Sequence, residues 1–179
     1  MQPSRALDGH RRSTNRVRLS KAATTAPTRG VPTAYHRGVS YFSDDEMKAL
    51  TERLACMTNP VRLVLFVQAF GCETCATTTR ILEDLTRANP LVTLEEKNMV
   101  LDKADVELYG IIAAPGLAII GDRDRGLRFY GAPDGYELIS LLQGIVLASS
   151  GDSGLSEESR SLVATLTEAR NLQIFSTPT

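Results

Sequence analysis

Met47, Leu50, Leu54 and Met57 recur every three to four residues, the spacing of one apolar helix face. The stretch FSDDEM just ahead supplies a start for that helix. Ser43 takes the N-cap, Glu46 three residues on completes a capping box, and Phe42 and Met47 hold the staple positions. The pattern then changes: residues 62–69, RLVLFVQA, form an apolar, β-branched run, which predicts a strand buried on both faces. A helix over 76–88 turns Ile81, Leu82, Leu85 and Ala88 inward and stops at Asn89-Pro90. Residues 91–97 read as a second strand and 102–109 as a short helix ended by Gly110. Strands at 116–120 and 127–130 flank the polar loop GDRDRG as a hairpin. A helix over 134–148 places Leu138, Leu141, Leu142 and Ile145 inward and closes at Gly151. Beyond it Ser156 caps a helix predicted over 156–170, with Leu162, Val163, Leu166 and Ala169 on one face. Residues 172–175, LQIF, then read as a strand.

Charge divides the chain. Residues 1–43 hold eight Arg and Lys against Asp8 alone, whereas the remainder holds twelve basic and twenty acidic residues. An acidic body argues against nucleic acid as the main partner, because phosphate contacts need a basic face. The basic segment lacks apolar periodicity and is rich in Ser, Thr, Ala, Pro and Arg, so residues 1–41 are expected to form a disordered tail. It reads first as a solvated tail or an upstream extension, and second as an organelle transit sequence. No apolar stretch follows its basic residues, which argues against a secretory signal, and a cytoplasmic location is expected. No apolar run approaches the ~18 residues of a membrane span, so no membrane partner is expected. The helix start at Phe42 places the beginning of the folded part there.

Three cysteines are present. Cys56 falls in the first helix and reads as a small core residue. Cys72 and Cys75 form C-x-x-C between a buried strand and a helix. Zinc wants four ligands; no second pair exists, and His10 and His36 both lie in the tail, so redox chemistry is the stronger reading. With Cys72 at the helix N-cap, free N–H groups and the helix dipole would stabilise its thiolate. Cys75, one turn in, would resolve a mixed disulfide formed on Cys72. Glu73 between them would penalise the thiolate and move the pair toward reduction, or simply be a solvated acid favouring the helix start.

The element order αβαβαββα predicts an α/β, thioredoxin-like fold: a central mixed sheet flanked by helices, with an extra N-terminal helix. The segment NPVRLVLFVQ before GCETC, together with LRFYGAPDGYE at 127–137, resembles the protein disulfide oxidoreductase family, built from two fused glutaredoxin-like, thioredoxin-fold units. The resemblance implies that 42–150 is a complete first unit and that 151–179 opens a second, truncated before its own cysteine pair. It also implies that Pro115 is a cis-proline facing the cysteines and that Ala114 pairs with the substrate backbone. Two departures stand out. The buried acid that thioredoxins carry six residues before the first cysteine is Phe66 here, and no tryptophan is present.

The expected function is thiol–disulfide oxidoreduction, as a protein disulfide reductase acting through Cys72 and Cys75, with Ala114 and Pro115 docking substrate and Glu73 modulating. Its substrate would be a protein or small-molecule disulfide, its electrons would come from a separate reductase, and no metal or flavin is implied. The alternatives are a non-catalytic remnant or adaptor module, and a redox shuttle feeding a peroxidase. Weak self-association through the edge at 172–175 is also expected.

Overall fold

Ser43 caps α1 (Asp44–Leu54): its hydroxyl accepts from the Glu46 N–H, and the Glu46 carboxylate accepts from the Ser43 N–H at 2.8 Å. Both halves of the capping box therefore form, and Phe42 is buried ahead of it. The computed structural model describes residues 40–168 and residue 173. After α1 come β1 (Val61–Val67), α2 (Cys75–Ala88), β2 (Val92–Asn98), α3 (Lys103–Tyr109) and β3 (Gly116–Ile120). β4 (Asp124–Tyr130), α4 (Tyr136–Ser150) and α5 (Glu157–Ala164) complete the order.

The sheet runs β2-β1-β3-β4. β1 and β2 are parallel, Phe66 facing Lys97, and β3 is antiparallel to both β1 and β4. β1 is central, so both of its faces are covered, which is why its sequence is continuously apolar. Val61, Leu63 and Leu65 face α1, α2 and α4; Val64 and Phe66 face the opposite side, with Ile111, Val106 and Tyr109. α1 is the extra N-terminal helix. Two buried polar side chains tie it in. The Asp84 carboxylate on α2 accepts from Ser40 Oγ and from the Tyr41 and Phe42 N–H groups, while its other oxygen faces the Arg87 guanidinium. The Asn89 amide donates to Leu54 O at the end of α1 and accepts from Leu91 N.

Several expectations change. β4 starts at Asp124, three residues earlier than its apolar run, because the Asp124 carboxylate accepts from the Gly126 N–H and takes both terminal nitrogens of Arg128. Cys56 is exposed and unpaired rather than buried: α1 ends at Leu54, and its Sγ only reaches back to Arg53 O at 3.5 Å. α5 is one helix of eight residues ending at Ala164, short of the predicted 156–170. Its Leu162 and Val163, and Leu166 just beyond, are exposed, not inward. The basic tail before residue 40, Ala169 and the strand predicted over 172–175 (Gln173 apart) lie outside the described residues.

Candidate functional site

β1 delivers the chain to a seven-residue loop, 68–74, and α2 takes it up at Cys75. Gly71 carries φ +71°, a left-handed conformation that glycine adopts without a Cβ clash. Cys72 and Cys75 are joined as a disulfide with Cα atoms 5.5 Å apart, an ordinary span for such a bond. The two cysteines differ in access. Cys72 is half-buried in the loop, whereas Cys75 is 7% exposed beneath α2. An incoming group meets Cys72 first.

Cys72 is not the N-cap. That position belongs to Thr74, at φ −99° and ψ −4°, whose side chain makes no capping hydrogen bond. The turn through Glu73 and Thr74 sets Cys72 two residues before the N-cap, so the dipole acts on it from farther than the sequence suggested, and dipole effects fade beyond the first turn. Glu73 is exposed, so water screens its effect on either sulfur.

Position 66 is also resolved by the fold. Phe66 is fully buried against Tyr109 on the α3 side of the sheet, ring centroids 5.9 Å apart, and does not face α2. The neighbouring β1 residues on the α2 side are Leu65 and Val67, so β1 sets no acid beneath Cys75. The acid that β2 does send to that side is Glu96, whose carboxylate accepts from the Thr79 hydroxyl at 3.1 Å, one turn beyond Cys75 on α2.

Pro115 and Ala114 close the loop that enters β3. The Ala114–Pro115 peptide is cis, Pro115 is buried, and its carbonyl accepts from the Gly131 N–H at 3.1 Å. The next residue, Gly116, pairs with Phe66 on one side and Tyr130 on the other. This register brings the 111–115 loop to the same end of the sheet as the cysteine loop. Gly116 is a site residue that sequence reasoning passed over. A Cβ there would stand 2.5 Å from Ala113 O and 2.7 Å from the Ile111 side chain, so no other residue fits without shifting the loop. A glycine opening a buried strand behind a proline is the signal that marks such close approach.

Asp134, in the GAPDG stretch before α4, accepts from the Tyr41 hydroxyl at 2.9 Å, and the Arg80 guanidinium of α2 lies over the same ring. The Asp134 hydrogen bond raises the Tyr41 hydroxyl pKa above its usual value, so the phenol remains a donor. These contacts fix the 131–135 loop against α2. Among the described residues no group of three His, Cys, Asp or Glu side chains is gathered as a metal site.

No protein-family model matches the sequence, and no curated protein matches it either. Solved structures do. A protein disulfide oxidoreductase from Aeropyrum pernix superposes with a TM-score of 0.62 and 28% identity, over 69% of this chain and 55% of that one. The alkylhydroperoxide reductase AhpF from Enterococcus faecalis gives 0.63 and 23% identity, over 71% of this chain and 62% of that one. The NTD_N/C domain of the same reductase gives 0.61 and 23% over 72% and 62%. The chain thus spans between about half and two thirds of the length of each. It has a thioredoxin-like fold, and the Aeropyrum likeness supports the disulfide oxidoreductase family read from GCETC and LRFYGAPDGYE.

Proposed function

We propose that the unit over 42–150 is a thiol–disulfide oxidoreductase, working as a protein disulfide reductase through Cys72 and Cys75. The observation that carries this reading is the asymmetric cysteine pair: one sulfur within reach of a partner, the other sheltered on α2, close enough to close a disulfide. In the reduced form the Cys72 thiolate attacks one sulfur of a substrate disulfide. That bond breaks, a Cys72–substrate disulfide forms, and the departing thiolate takes a proton from water. Cys75, once deprotonated, attacks the Cys72 sulfur and expels the second substrate thiol. The substrate gains two electrons and two protons, and the protein is left as its own disulfide. A separate dithiol reductase returns the two electrons.

With Leu65 and Val67 beneath α2, the Cys75 proton leaves to water, to Glu73 or to the substrate. Ala114 offers its backbone to the substrate beside Cys72, and Pro115 shapes that edge. Glu73, screened by water, adds only a weak bias toward reduction, in the direction of ~−270 mV rather than ~−120 mV. The reading also divides the chain, with 151–179 opening a second unit. Support for this comes from Leu162, Val163 and Leu166 at the end of α5, which are grouped like a face made to be covered yet are exposed.

The test is insulin reduction by dithiothreitol, followed as turbidity. The wild-type chain should accelerate precipitation and Cys72→Ser should return the rate to background. Equal rates for the two proteins would sink the reading.

A further inference from the structure

Four loops meet at the end of the sheet that carries the cysteines: 68–74, 99–102, 110–115 and 131–135. Strand register brings them together. Phe66 pairs with Gly116, Val67 with Asn98, and Gly116 with Tyr130; Met99 N donates to Val67 O and Gly131 N to Pro115 O. Three of these loops turn large apolar side chains to solvent. Phe70 is 91% exposed, Ile112 81%, Leu101 80% and Val100 60%. Single exposed apolar residues need no explanation, but several gathered about one site mark a surface that binds. Val100 and Leu101 are also held rigidly. Asn98 Oδ1 accepts from both of their N–H groups, and the Asp102 carboxylate accepts from Asn98 N at 2.6 Å. A surface already ordered loses little entropy when a partner docks.

The charge of this end is one-sided. The four loops contain Glu73, Asp102 and Asp134 and no Lys, Arg or His. The bases at its margin are Lys103, which opens α3, and Arg80, which lies over the Tyr41 ring. Glutathione disulfide carries two carboxylates and one ammonium per half, a net negative charge, and no apolar side chain. It would find neither a cation nor an apolar complement in these loops. A polypeptide whose cysteine is flanked by apolar residues and a Lys or Arg matches both features.

The geometry points to substrate selection at this site: polypeptide disulfides with apolar, basic flanks are taken in preference to glutathione disulfide. Phe70, within the cysteine loop, and Ile112, in the loop that enters β3, are the specificity-determining residues. This inference rests on the redox reading above and narrows its substrate.

The experiment uses the full chain, pre-reduced, and measures single-turnover rate constants for four disulfides by acid quench. The probes are the disulfide dimers of Ac-Phe-Lys-Cys-Leu-amide and Ac-Ser-Glu-Cys-Ser-amide, glutathione disulfide, and uncharged hydroxyethyl disulfide. The apolar, basic peptide should react at least tenfold faster than glutathione disulfide. Its advantage over the acidic peptide should shrink in 0.5 M salt, as screening requires. Phe70→Ser combined with Ile112→Ser, both at exposed positions, should lower the rate ratio of apolar peptide to hydroxyethyl disulfide at least fivefold. Glutathione disulfide reacting as fast as the apolar peptide, or an unchanged ratio in the double variant, overturns the inference alone. If hydroxyethyl disulfide is not reduced either, the redox reading falls and this inference falls with it.

Discussion

The two faces of the sheet are built on different principles. On the side of α1, α2 and α4, eighteen buried residues form one apolar core that includes Leu63, Leu65, Ile81, Leu82 and Leu85. On the α3 side, among the described residues, the buried cluster is Val64, Phe66, Ile111, Ala118 and Ile120, and charge takes over at the rim. Arg62 pairs with Glu95, Lys97 with Glu95 and Asp105, and Arg128 with Asp124. Arg62 and Arg128 both lie over the Tyr109 ring. The cysteine pair stands at the end of the thick side, since Cys75 belongs to α2. Helix α2 thus rests on close-packed hydrocarbon, which transmits position rigidly, while the thin face is held by partly exposed ion pairs of modest individual worth.

The strongest way to break this contrast is to cut a cavity in each face. Leu85→Ala on the thick face is expected to cost about 3–5 kcal/mol, because its neighbours cannot collapse into the space. Ile111→Ala on the thin face is expected near 2 kcal/mol, at the low end for such changes, as the short α3 can settle inward. Urea unfolding of the two variants measures both, and equal losses would show that the faces are equally rigid.

A smaller effect separates charge from shape. Arg128 donates Nε to Tyr109 O at 2.7 Å and both terminal nitrogens to Asp124. Lysine has no such fork, so Arg128→Lys should lose about 1 kcal/mol, whereas Arg125→Lys, at a one-bond exposed pair, should be neutral within error. Thermal unfolding distinguishes them, and matched midpoints would deny the fork any special role.

The smallest expected effect is with pH. The Glu95 carboxyl is held below its usual range first by the Lys97 hydrogen bond, and that of Asp124 first by Arg128. A depressed carboxyl contributes stability that is present above its unfolded pKa of about 4 and is lost as pH falls through the folded value. Lys97 is raised by its hydrogen bonds to Glu95 and Asp105, so its contribution persists through neutral pH and is lost only far into the alkaline range. The melting temperature should therefore be flat from pH 6 to 9 and decline below about pH 4. Glu95→Gln should decline less steeply there; an identical slope would remove Glu95 from the linkage.

Much of this was legible in the residues themselves. The capping box at Ser43, the inward row Ile81, Leu82, Leu85 and Ala88, and the stop at Gly151 all stand where the pattern put them. The same holds for the cysteine pair between β1 and α2. Each of these rests on interactions between residues a few positions apart, which a linear pattern records. The misreadings share the opposite property. Cys56 read as core from helical spacing, but α1 ended too soon to carry it inward. Leu162, Val163 and Leu166 have helical spacing whether or not anything covers them. Gly116 is required by a carbonyl and an isoleucine that only the folded loop brings near. Caps and residue spacing placed the start of α1, the stop of α4 at Gly151, the buried strand β1 and the cysteine pair, because such signals are local. Exposure, close approach and the grouping of Phe70, Leu101 and Ile112 at the cysteine end of the sheet came only from the fold, because each depends on which distant residues the sheet's register places side by side.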